Sequence, residues 1–267
     1  MTPADRAADR AADEPPPIRR TWMVGHDHKA PVIVAALDGS APSRCTTALA
    51  AGLIKTMGWR LALVPVPLTA TDADRRGRLV ATALDEHAAL IASPATDHRS
   101  SGEAAAAACL ALAACAPCPV LAVPLARDTE PALSGPVICG VHGAESSAPI
   151  ARAAARLAVA LSAGLELVHV AASRENGAAT HARLPDPFSG RTWRPLESGD
   201  PAGRLCSLAE SEGAILVIGA PANGGAEGEG SFAATIITES RTPVAVVSGG
   251  DRSAPAVAGM GLSAVAA

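Results

Sequence analysis

The chain has 267 residues, with 22 Lys and Arg against 26 Asp and Glu and a formal net charge of −4 at pH 7. That balance excludes a basic footprint for nucleic acid or an anionic membrane surface. An aromatic content of 2% with no Tyr excludes a base-stacking platform as well. Hydrophobic residues at 49% and charged residues at 18% are the composition of a globular protein, and the length suits two domains.

Residues 1–30 read as a polar tail. Arg19-Arg20 follows Pro15-Pro16-Pro17, and no apolar segment comes behind it as a secretory signal would require, so a cytoplasmic location is expected. An apolar run, Val32-Ile-Val-Ala-Ala-Leu, then ends in the polar turn Asp38-Gly39-Ser40, and Pro42 stands at a first helical position. Leu49, Leu53 and Met57 recur every four residues, which predicts a helix to about Met57. Leu61–Val66 is the next strand, and a further strand follows at Ala89–Ala92. Residues 104–126 carry no charge and are long enough to cross a bilayer. They are mostly Ala, however, and Pro117, Pro119 and Pro124 interrupt the second half, so a buried helix followed by a buried strand, Cys118–Val123, is the reading.

About a hundred residues later the same order returns. Val137-Ile-Cys-Gly-Val141 leads to His142-Gly143, then to a Ser146/Ser147 cap and a helix with Ile150, Ala154, Leu157 and Leu161 on one face. Leu165–Val170 matches the second strand, Ile215–Ile218 the fourth and Thr242–Val247 the last. Unbroken apolar runs alternating with helices mean strands buried on both faces, hence an α/β architecture of two doubly wound, parallel-sheet domains of the flavodoxin-like or Rossmann-like kind. The divisions are 31–125 and 135–248, joined by a linker at 126–134 and followed by a disordered tail at 249–267.

Between Val66 and Leu79 the first half has far fewer residues than the second has between Val170 and Leu205. The longer connection holds an edge strand around Thr192–Leu196; in the first half that third strand is missing. Arg20-Thr-Trp-Met-Val24 resembles Arg191-Thr-Trp-Arg194. A parallel crossover from residue 24 into Val32 would need a dozen or more residues, so residues 20–24 are expected to fill the gap as an antiparallel edge strand.

Candidate chemistry is sparse. Cys115-Ala-Pro-Cys118 has redox spacing, but it closes a helix and precedes a strand, the reverse of the context that lowers a thiol pKa. A thiol redox protein is therefore a minor alternative. His26 and His28 lack a matching Cys or His pair, and no metal site is expected. No nucleophile–base pair or paired carboxylates stand at a useful spacing, so no enzyme is expected.

Asp38-Gly-Ser, the ending Ala116-Pro-Cys-Pro-Val-Leu-Ala-Val-Pro124, and Gly199-Asp-Pro-Ala before Ala214-Ile-Leu-Val-Ile-Gly219 resemble the universal stress protein family, here in tandem. The resemblance implies dimers that pair along the last strand, and so an intrachain pseudo-dimer with Val120–Val123 beside Val244–Val247; a homodimer of whole chains stays open. It also implies, in the members that bind ATP, an Asp after the first strand and a Gly-x-x-Gly-x9-Gly-Ser/Thr loop after the fourth. Such glycines let the backbone approach phosphate at a helix N-terminus, beside the crevice where the sheet reverses its winding.

The first half keeps Asp38 but has Ser93, Thr96, Ala106 and Ala107 at the loop positions. The second half keeps Gly219 and Gly230-Ser231, with Ala222 at the second glycine, a loop two residues short, and His142 at the Asp position. Each half keeps what the other lost. Asp38-Gly39 also reads as a plain strand-to-helix turn, and Gly230-Ser231 as a helix start. The expectation is a stress-response or signalling protein that binds ATP weakly at most, in the second domain. The alternative is a nucleotide-free scaffold acting on an unknown protein partner.

Overall fold

A computed structural model describes residues 21–22, 30–95, 102–125, 135–141, 147–171, 192–197, 199–220 and 229–248. The linker, most of the N-terminal tail, the C-terminal tail and His142 lie outside them. In chain order the strands are β1 (Thr21–Trp22), β2 (Val32–Leu37), β3 (Arg60–Pro65), β4 (Leu90–Pro94), β5 (Val120–Val123), β6 (Val137–Gly140), β7 (Leu165–Ala171), β8 (Thr192–Glu197), β9 (Ile215–Ala220) and β10 (Val244–Ser248). The helices are α1 (Ala41–Met57), α2 (Asp72–Asp85), α3 (Gly102–Cys115), α4 (Ser147–Leu161), α5 (Pro201–Glu212) and α6 (Glu229–Glu239).

The strands form a single ten-stranded sheet in the order β1-β3-β2-β4-β5-β10-β9-β6-β7-β8. Within each half the pairs β2–β3, β2–β4, β4–β5 and β6–β7, β6–β9, β7–β8, β9–β10 are parallel. The halves meet antiparallel, with Val244, Ala245 and Val246 opposite Ala122, Leu121 and Val120. This is the pairing implied for the last strands, made inside one chain. Alternation along each strand feeds two cores. Ile33, Leu61, Val137 and Val217 face α1 and α4 through Leu49, Leu53, Ile150 and Leu157. Val34, Ile91, Leu216 and Val246 face the other described helices through Leu79, Leu112, Leu205 and Ile236. Because both cores run through both halves, the seam is buried on either side of the sheet.

No strand lies between Pro65 and Asp72, where the first half's connection is short. Thr21 and Trp22 pair antiparallel with Leu63 and Ala62 of β3, in the direction the loop length demands. In the second half β8 covers β7 over the full register from Glu166 to Ala171. The helix boundaries follow from local chemistry. Ser40 caps α1 by accepting from the Ser43 N–H, Pro42 stands in its first turn, and Gly58 ends it at φ +66°, a conformation that favours glycine. Thr71 and Asp74 form a reciprocal capping box at α2. No helix among the described residues is long and apolar enough to cross a membrane. Residues 104–126 instead supply α3 and β5.

Candidate functional site

In each half the winding reverses between the first and fourth strands, β2 and β4 or β6 and β9, so the crevices lie at their carboxyl ends. Asp38 follows β2 directly. Its Oδ1 accepts from the Ser40 N–H at 2.9 Å, and its own N–H donates to Ser43 Oγ at 3.1 Å. Ser43 Oγ in turn donates to the Ala36 carbonyl at 3.0 Å. Gly39 takes φ +79° to make this turn. The motif is thus a helix start in its own right.

The carboxylate has a second partner. Arg75, from the first turn of α2, reaches across to place Nη2 3.0 Å from Asp38 Oδ2, and the Asp38 side chain is left 1% exposed. Burial alone raises the Asp38 pKa, but the hydrogen bonds from Ser40, the Arg75 charge and the bond to Ser43 outweigh it and hold the carboxyl below its ordinary value. An oxygen that a nucleoside hydroxyl would need is therefore already taken by a side chain of the same half.

The strand registers correct the sequence spacing of the first-half loop. Ile33 pairs with Leu90 as Val137 pairs with Ile215, which matches Leu90 to Ile215 and so Pro94, not Ser93, to Gly219. The shift has a local cause. Ala88 N–H bonds to the Ala83 carbonyl as Ala214 N–H bonds to that of Ala209, and Ala89 is then one residue more than the second half has before its strand. Pro94 brings a ring and no N–H to the place where the second half has glycine. Ser93 points to the opposite core and hydrogen-bonds the Cys109 thiol. Thr96 lies outside the described residues; Ala106 is buried and Ala107 exposed in α3.

In the second half Gly219 has an internal explanation. A Cβ there would meet Ile150 Cδ1, so the Ile150 side chain of α4 lies where any larger residue would require it to shift. Gly230 and Ser231 belong to the first turn of α6, which begins at Glu229. His142, Ala222 and the glycines at 224, 225 and 228 lie outside the described residues. Beside the crevice, the buried His169 ring on β7 holds Val141 at the end of β6, Nδ1 lying 2.8 Å from its carbonyl oxygen; the sequence spacing did not single out that anchoring role.

The cysteines are free thiols. Burial pushes Cys118 up to about 12 and Cys139 to about 12, and Cys109 up to about 11. Cys115 Sγ donates back to the Ala111 carbonyl within its own helix. Burial thus keeps Cys118 a neutral thiol, the opposite of the electropositive, partly exposed setting that makes a reactive thiolate. Among the described residues no cluster of His, Cys, Asp and Glu could hold a metal ion.

The structure is similar to that of a universal stress protein from Archaeoglobus fulgidus, 14% identical, with 82% of this chain and 97% of that one covered at a TM-score of 0.59. A functionally unknown protein from Pseudomonas aeruginosa matches at 14% identity, 83% and 93% coverage and a TM-score of 0.53. A protein assigned to the universal stress proteins from the same organism matches at 16% identity, 81% and 82% coverage and a TM-score of 0.50. No protein-family model matches the chain, and no curated protein matches it significantly. The chain therefore has the universal stress protein fold, as a tandem of two α/β units sharing one sheet.

Proposed function

We propose that this protein works by binding rather than by turnover, as a stress-response or signalling protein, with its first crevice closed to nucleotide and any ATP binding confined to the second half and weak. The observation that carries this reading is the Asp38–Arg75 pair, which occupies the first crevice's carboxylate at 3.0 Å. The second crevice retains Gly219, Gly230 and Ser231, without a carboxylate at residue 142. Loss of an acceptor and of one glycine costs about 1–3 kcal/mol each, and every 1.4 kcal/mol is tenfold in affinity. A complete micromolar site would thereby fall towards millimolar.

A scaffold that binds no nucleotide is the second reading. What favours it is Ile150 against Gly219, which gives that glycine a packing contact independent of any ligand. Acid release of small molecules from the purified protein, followed by chromatography, tests the primary reading. It should yield far less than one nucleotide per chain. One tightly held nucleotide per chain contradicts it.

A further inference from the structure

The pseudo-symmetry of the two halves exposes a difference that their crevices do not explain. Between α2 and α3, over the end of β4, lies a cleft of about 40 Å³ whose floor includes Leu79, Ala108 and Leu112 and whose rim carries Arg75 and Arg76. Ile91 pairs with Val120 as Leu216 pairs with Val244, and α3 and α6 each end five residues before that last strand. Leu112 therefore matches Ile236, and Ala108 matches Phe232. On the facing helix Leu79 and Ala83 match Leu205 and Ala209, so Arg75 and Arg76 stand where the second half has Pro201 and Ala202. One half thus has a benzyl group, itself 37% exposed, and two uncharged rim residues; the other has a methyl group and two guanidiniums lining the cleft.

We propose that this cleft binds a short aliphatic monocarboxylate, with the carboxylate on the Arg75–Arg76 rim and the hydrocarbon tail over Leu79 and Leu112. Guanidinium forks match a carboxylate in shape and charge. Asp38 engages one guanidinium nitrogen of Arg75 and so fixes its position, while Arg75 Nε is buried with no acceptor. Asp72 stands on the same rim, which disfavours a doubly charged phosphate against a singly charged head. The floor is apolar, so it favours a tail over a hydrated inorganic ion. A void of 40 Å³ has room for about three waters, and hence for about three methylene-sized groups. Butyrate is the matching probe. The site is separate from the second-half crevice and does not depend on nucleotide binding.

Methyl NMR of the full chain, titrated with butyrate, tests this assignment. Leu79 and Leu112 methyl signals should shift saturably with a roughly millimolar dissociation constant, and inorganic phosphate at equal ionic strength should leave them unmoved. Ala108→Phe, which adds a benzyl group to the cleft lining, should abolish the shifts. Arg76→Ala, on the helix rim and outside the Asp38 pair, should weaken binding about tenfold or more and keeps the test open if the Phe variant folds poorly. Unsaturable shifts, equal shifts with phosphate, or unchanged affinity in Arg76→Ala would each overturn the proposal.

Discussion

Asp38 and Arg75 decide what the first crevice can do. The carboxylate is held by a backbone N–H and a guanidinium, both from its own half. Removing one partner of a buried pair leaves the other charge uncompensated, so Arg75→Ala should cost about 3 kcal/mol of stability at pH 7. The pH dependence follows from the lowered Asp38 pKa. A depressed folded-state pKa contributes stability that is complete above the unfolded value of about 3.9 and is lost as pH falls through the folded one. Urea unfolding of the parent and the variant should therefore differ less at pH 3 than at pH 7; an equal difference at both would show that the pair is not the cause. Arg75 was not legible as the partner of Asp38 from sequence, because the contact joins a turn to a helix 37 positions away and leaves no local or periodic trace. The Asp38-Gly39-Ser40 turn itself was legible, since its chemistry is local.

Local signals also account for which elements the sequence disclosed. The spacing of Leu49, Leu53 and Met57 outlines α1, and Pro42 after the Asp38-Gly39-Ser40 turn marks its start. The paired apolar runs outline the parallel strands. The extra residue Ala89 was missed because a one-residue difference in a helix-to-strand turn leaves no periodic trace, and it misplaced Ser93 by one. The α2–α3 cleft was equally hidden: it lies between two helices whose separation is set by tertiary packing, and an alanine-rich helix looks the same from sequence whether or not its neighbour closes over it. The β1 strand was accessible through the likeness of Arg20-Thr-Trp to Arg191-Thr-Trp together with loop length. Among the described residues Thr21 and Trp22 pair with β3, on an edge that no other described strand covers. Deleting residues 1–26 should lower the thermal midpoint, whereas deleting 1–17 should not. Two truncations of equal stability would remove β1 from the account.

At the scale of the whole chain, the antiparallel β5–β10 seam turns two incomplete units into one sheet. Val120, Leu121, Val244 and Ala245 are each no more than 1% exposed, and helices of both halves pack together over them, with α3 close enough to α6 that a Cβ on Gly102 would lie 2.9 Å from Thr238 Cγ2. Such a seam keeps the fold while the crevices diverge. The first half retains the carboxylate and spends it on Arg75; the second retains glycines and lacks the carboxylate. The most direct measurement of that division is calorimetric titration of ATP into the parent chain and into His142→Asp with Ala222→Gly. The account predicts a gain in affinity in the double variant, reduced again when Ser231→Ala is added. No gain, or binding that Asp38→Asn rather than Ser231→Ala removes, would contradict it.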